Sequence, residues 1–159
     1  MDLDTLLNKN QKEAATYLDS HLRIIAGAGS GKTRVVTYRI AHLIQDVGID
    51  PRSILAITFT NKAANEMKER VNEVVGIHGS GTLICTIHSL CVRFLRQHIN
   101  VLNYPSNFTI MDEEDQKALI KKLYTQLEID AKVISIKSMI NTISSYKTAR
   151  VSPQRAIEL

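Results

Sequence analysis

The chain predicts an α/β fold: a parallel sheet with flanking helices, followed by part of an all-helical subdomain. Three observations predict it. Residues 26–33 form a glycine loop that joins an apolar run to a helical pattern. Short apolar runs then alternate with helical periodicities up to about residue 100. Beyond residue 103 the strand-like runs stop, and two amphipathic helical patterns take over.

The elements follow in order. Leu22-Arg23-Ile24-Ile25-Ala26 predicts a first strand over 22–26. A helix over 32–47 carries Val35, Val36, Ile40, Leu43, Ile44 and Val47. Gly48 through Pro51 break it. Ile54-Leu55-Ala56-Ile57-Thr58-Phe59 reads as a buried strand. A helix over 61–75 places Ala63, Ala64, Met67, Val71, Val74 and Val75 on one side and stops at Gly76. Gly79-Ser80-Gly81 turns the chain into a third strand, Thr82 to Ile87, and a helix runs on through about His98. Repeated β-α units imply parallel strands, right-handed crossovers and ligands at the strands' carboxyl ends. After the loop Asn103-Tyr104-Pro105-Ser106-Asn107, one helix carries Leu119, Ile120, Leu123, Tyr124 and Leu127. Another carries Ile136, Met139, Ile140 and Ile143, with Pro153 as its end. Two helices cannot bury both apolar stripes against each other alone. The expected division is a nucleotide-binding part over 1–105 and the start of a helical subdomain over 106–159.

The glycine loop reads Ala26-Gly27-Ala28-Gly29-Ser30-Gly31-Lys32-Thr33, and three of the seven glycines fall in it. Strand, glycine loop, Lys-Thr and helix is the context of a phosphate-binding loop. Glycine permits positive φ and close approach of backbone to ligand. Consecutive N–H groups then form an anion-binding concavity at a helix N-terminus, where the macrodipole adds positive potential. Lys32 supplies a point charge for β- and γ-phosphates, and the Thr33 hydroxyl is a ligand for Mg²⁺. The pattern G-x-x-x-x-G-K-[ST] is met except at its first position, held by Ala26. These residues predict binding of a nucleoside triphosphate.

Composition narrows the setting. The chain has 159 residues, 44% hydrophobic and 23% charged, as expected of one domain or of one domain and part of another. A net charge of +4 mildly favours a polyanionic partner. Cys85 and Cys91 suit a reduced, cytoplasmic setting and core positions better than a disulfide framework, and no His/Cys cluster suggests zinc. The acidic start Met1-Asp2-Leu3-Asp4 is no signal peptide, and no segment is long and apolar enough to span a membrane.

Two strand ends predict a second ligand on the same edge. One is Thr58-Phe59-Thr60-Asn61-Lys62, the other Thr86-Ile87-His88-Ser89. Phe59 offers a face on which a base can stack, Thr58, Thr60, Asn61 and His88 can bond phosphate or sugar oxygens, and Lys62 adds charge. Taken singly, Phe59 better suits a core aromatic at a strand end, and His88 a helix N-cap neighbour or a satisfied core histidine. Upstream, Gln11 presents one donor and one acceptor in a plane. That pair matches adenine N6/N7 and mismatches the two acceptors of guanine. Alone, it better suits a solvent-exposed helical Gln, the commoner case.

Together these segments resemble the UvrD/Rep/PcrA-like superfamily 1 DNA helicases over essentially the whole chain. Leu7-Asn8 with Gln11 and Ala14 is similar to their Q motif, the adenine reader. Ala26 through Arg34 is similar to motif I, where Ala in first place is usual. Ile57 through Met67 resembles motif Ia. Cys85-Thr86-Ile87-His88-Ser89-Leu90 resembles motif Ib, with Ile87 where Phe is common. The resemblance implies a first RecA-like domain that binds ATP with Mg²⁺ and single-stranded DNA, Phe59 stacking a base while Thr86 and His88 touch the strand. It further implies ATP-driven 3′ to 5′ translocation and unwinding at single-strand/duplex junctions, in repair or replication in a bacterial cytosol.

Phe108-Thr109-Ile110-Met111-Asp112-Glu113 mimics a Walker B strand, the element that holds Mg²⁺ and a catalytic carboxylate. No full β-α crossover precedes it, and Asp112 with Asp115-Gln116 opens an amphipathic helix as an N-cap does. The segment is therefore expected to enter the helical insertion. Without Walker B carboxylates or an arginine finger, these residues are expected to bind Mg-ATP weakly and to hydrolyse it negligibly. Two rival readings stand beside this one. A compact P-loop kinase or ATPase would use Asp112 and Glu113, and a non-catalytic nucleic-acid-binding module would need neither.

Overall fold

A computed structural model describes residues 1–158. They fall into two compact units, Met1–Ser106 and a second beginning at Asn107. In the first, α1 (Leu3–Leu6) and α2 (Lys9–Thr16) precede the glycine loop and α3 (Lys32–Gln45) follows it. Next come β1 (Leu55–Thr58), α4 (Asn61–Val75), β2 (Leu83–Thr86) and α5 (Ile87–His98).

β1 and β2 pair in parallel, Leu55 opposite Leu83 and Thr58 opposite Thr86. The β1-α4-β2 unit is the alternation that the apolar runs predict. Thr60 caps α4 by accepting from the Ala63 N–H at 3.1 Å, and Gly76 ends the helix at φ +67°. The amphipathic spacing of α4 then places Ala64, Met67, Val71 and Val75 in one core with Ile84 of β2 and Ile40 and Ala41 of α3. Ile84 and Val71 are the largest fully buried side chains, and burial of each stabilises by roughly 1.5–3 kcal/mol. A smaller cluster of Leu3, Leu7, Ala15 and Val35 fastens α1 and α2 onto α3.

Three expectations are corrected. Residues 22–26 are not a strand: they have no regular structure, and among the described residues the sheet has two strands rather than three. A strand is defined by its ladder, and no neighbour pairs with this segment; Ile25 is 86% exposed. The run Ile54–Phe59 forms a shorter strand, and it is not buried on both faces. Helix α4 covers one face, whereas Leu55 and Ile57 point outward and are about half exposed. Pro153 does not end the second late helix. That helix stops at Thr148, and Pro153 opens a separate short one behind its cap Ser152.

In the second unit, α6 (Glu113–Gln126) packs on α7 (Ile136–Thr148), and α8 (Pro153–Ile157) follows. Residues 108–112 have no regular structure. Asp112 is the N-cap of α6: its carboxylate accepts from the Asp115 N–H at 2.8 Å, and Asp115 reciprocates at 3.3 Å. Of the α6 stripe only Tyr124 is buried, while Leu119, Leu123 and Leu127 stay exposed.

Candidate nucleotide and nucleic-acid site

The loop is shaped by two glycines in the left-handed region, Gly29 at φ +75° and Gly31 at φ +82°. Gly31 also allows a close approach: a Cβ there would lie 2.9 Å from Nε2 of Gln11. Helix α3 begins directly after Gly31 with no side-chain cap, so its first-turn N–H groups face outward without one. Lys32 Nζ donates to the carbonyls of Gly27 at 2.6 Å and Ala26 at 3.1 Å. Ser30 Oγ donates to the Gly27 carbonyl at 2.8 Å. The Thr33 hydroxyl is exposed and has no hydrogen-bond partner among the described residues.

Gln11 is held from both ends of its amide. Asn8 and Gln11 form a capping box at the start of α2, in which Gln11 Oε1 accepts from the Asn8 N–H at 3.1 Å. Its Nε2 donates to the Ser30 carbonyl at 3.0 Å. These partners fix which end is oxygen. An amide has two donor hydrogens and two acceptor sites, so one of each remains for a ligand. The loop, Gln11, Asn10, Ile24, Ile25 and Lys32 line a cavity of about 250 Å³.

Two arginines fix this arrangement, and neither role is readable in the sequence. Arg34 donates to the Leu6 carbonyl at 2.8 Å. Arg39 donates to the carbonyls of Tyr17 at 2.6 Å and Ala14 at 3.1 Å, closing the C-terminal end of α2. All three bonds join residues more than twenty positions apart, and a local pattern carries no signal for such pairs.

The residues fit a phosphate group: an uncapped helix start, two left-handed glycines, open space where a Cβ at Gly27 or Gly29 would stand, and one ammonium. For Mg²⁺ they supply one oxygen, that of Thr33. Its remaining oxygens would come from phosphates, water or other groups.

At the carboxyl ends of β1 and β2 the candidate residues divide. Phe59 is 98% exposed, which excludes the core reading. Lys62 and His88 are exposed and without partners among the described residues. The others are engaged locally. Thr58 Oγ1 donates to the Thr60 carbonyl, Thr60 caps α4, and buried Thr86 caps α5 by accepting from the Ser89 N–H at 3.2 Å. Ser89, not singled out in the sequence, joins the two segments. Its hydroxyl meets Thr86 Oγ1 at 2.9 Å and donates to Asn61 Oδ1 at 3.5 Å. Ser89 stands at the third helical position after Thr86, a spacing that a capping search would have found.

A glycine loop whose Lys-Thr opens a long helix, beside a parallel β-α-β unit, is the organisation of the P-loop class of α/β proteins. Comparison with known proteins makes the assignment specific. The UvrD/REP helicase N-terminal domain family matches over residues 7–158, and the chain belongs to that family. It is 46% identical over 148 residues to the ATP-dependent DNA helicase PcrA of Bacillus subtilis. It is 45% identical over 150 residues to the PcrA proteins of Staphylococcus aureus strain Mu50 and Staphylococcus epidermidis. These matches cover 93–94% of this chain, and the chain spans about a fifth of the length of the curated relatives. Among the described residues no helix is long and apolar enough to cross a membrane.

Proposed function

We infer that this chain is the N-terminal part of an ATP-dependent DNA helicase that moves 3′ to 5′ along one strand and unwinds single-strand/duplex junctions in the bacterial cytosol. Residues 1–105 would belong to its first RecA-like domain and residues 106–159 to the start of a helical insertion. In this reading Ala26 through Arg34 hold the phosphates, Gln11 reads adenine, and Thr33 ligates Mg²⁺. Lys32 turns from its own loop carbonyls to the phosphate oxygens. Phe59 stacks a base, Lys62 and His88 meet the strand, and Thr58, Thr60, Asn61 and Thr86 shape the edge that presents them. Bound ATP would supply the free energy for stepping. This chain's residues would bind and orient it.

The observation that carries the reading is the hydrogen bond from Gln11 to Ser30, which seats an amide with one free donor and one free acceptor against the phosphate loop. Titration of the chain with fluorescent ATP and GTP analogues in Mg²⁺ tests it, and tighter binding of ATP is expected. Preference for GTP would remove Gln11 as the reader. The reading also expects turnover at background from this chain, unchanged by Glu113→Gln. Hydrolysis that Glu113→Gln abolishes would select the compact ATPase instead.

A further inference from the structure

At the amino ends of β1 and β2, the edge opposite the strand ends just described, lies a second polar feature. A solvent-open trough of about 730 Å³ is bordered by Arg52 ahead of β1, Lys68 of α4, Arg93 of α5 and the turn Ser80-Gly81-Thr82 ahead of β2. Three cations from three elements border it, and among the described residues no carboxylate lines it. The acid nearest Arg52 along the chain, Asp50, is occupied as a cap, accepting from the Arg52 N–H at 2.9 Å, and Glu66 and Glu69, which flank Lys68 on α4, are not among the lining residues. None of the three cationic side chains has an ion pair or hydrogen-bond partner among the described residues.

The turn is built rather than loose. A Cβ at Gly79 would lie 3.2 Å from Val71, and one at Gly81 would lie 3.2 Å from both Pro51 and Arg52. Ser80 is therefore flanked by two glycines packed against neighbouring elements. Thr82 Oγ1 is shielded from solvent and has no hydrogen-bond partner among the described residues. Like charges gathered without counter-ions repel one another, and a polyanion relieves that repulsion. Guanidinium groups match phosphate oxygens in bidentate geometry, and cations from three separate elements around a solvent-open hollow suit a chain of phosphates better than one small anion.

We propose that this trough is a second nucleic-acid contact, in which Arg52, Lys68 and Arg93 hold the phosphodiester backbone of a strand at the amino edge of the sheet. It is independent of the contact proposed around Phe59. Addition of oligothymidylate, or of a duplex of the same length, to ¹⁵N-labelled chain is expected to shift the amides of Ser80, Gly81 and Thr82. The shifts should persist in a Phe59→Ala/Lys62→Ala variant, which removes the other edge. Lys68→Glu/Arg93→Glu should abolish them. The same reversal should flatten the salt dependence of single-strand binding, by roughly 0.7 in log–log slope for each phosphate that is no longer neutralised. Lys68→Arg/Arg93→Lys should retain both.

Unshifted amides at 80–82 in the wild-type chain, a measurement that needs no variant to fold, would overturn the proposal. So would a salt slope that charge reversal leaves unchanged. Shifts produced by polyglutamate and not by either DNA would also overturn it, assigning the trough to an acidic protein segment. If Phe59→Ala/Lys62→Ala leaves affinity untouched while the trough amides still shift, the Phe59 contact fails and this one stands.

Discussion

The glycine loop and the strand-end edge around Phe59 are held in opposite ways. In the loop, the lysine, Ser30 and Gln11 already have partners: Lys32 bonds the Ala26 and Gly27 carbonyls, Ser30 bonds Gly27, and Gln11 bonds Ser30. At the edge, Phe59, Lys62 and His88 stand in water. A ligand at the loop must exchange internal hydrogen bonds for its own, so net affinity is the difference between two similar sets. A strand meeting Phe59 displaces only water. The loop is thus preorganised in shape while its lysine must still move, and the edge is available as it stands.

The largest effect expected from this contrast is at Lys32. Removing a charged donor from a phosphate contact costs about 1.5–3 kcal/mol. Lys32→Ala should therefore weaken binding of a fluorescent ATP analogue by roughly 10- to 150-fold, with single-strand affinity unchanged. Equal weakening of both ligands would show that loop and edge are one site, and the contrast would break.

The next effect lies at the edge. Phe59→Ala should weaken single-stranded DNA binding by about 1–3 kcal/mol, read by fluorescence anisotropy, since base stacking on an aromatic is worth that much. Because the ring is 98% exposed, thermal stability should not change. A drop in melting temperature would show that Phe59 packs against something in solution.

These residues also show how much is legible in the sequence. The β1-α4-β2 unit is legible because period and punctuation agree: alternating runs, and Gly76 as a stop. Asp112 reads as a cap rather than a Walker B carboxylate for the same local reason, and a cap it is. What fails depends on partners. Leu22–Ala26 is as apolar as β1, but hydrophobicity reports a need for burial, and a ladder needs a neighbouring strand. Likewise, the run at 54–59 suggests burial on both faces, and nothing within it says that α4 covers one face alone. At the site, chemistry is legible while availability is not. Thr58, Thr60 and Thr86 have the right hydroxyls for a phosphate, and each makes a local bond first.

A third, smaller effect separates the shape of the loop from its charge. Gly31→Ala forces an L-residue into the left-handed region, at about 1–2 kcal/mol, and pushes its methyl group into Gln11 Nε2. Gly27 has no positive φ, and nothing lies within 4 Å of its would-be Cβ. Denaturant melts should show Gly31→Ala destabilised and Gly27→Ala close to wild type. If both variants match wild type, the loop is not held in this conformation, and the preorganisation drawn from it is lost.

The smallest effect lies at the far end of α3, outside both sites, and it tests whether the helix carrying Lys32 is anchored as described. Asp46 accepts from His42 Nδ1 at 2.8 Å and from the Met1 ammonium at 3.1 Å. The His42 hydrogen bond first, and the terminal amine second, hold its carboxyl below the ordinary value of 3.8. A depressed folded value means that the contribution is complete above the unfolded pKa and is lost as pH falls through the folded one. Asp46→Asn should thus be slightly less stable than wild type near neutrality, and the two melting curves should converge in acid, below the ordinary aspartate range. Because the carboxylate is partly solvated, the gap should be small and should narrow with salt. A constant gap at every pH would mean that Asp46 acts through packing and not through its charge, leaving the terminal amine without a role in fixing α3.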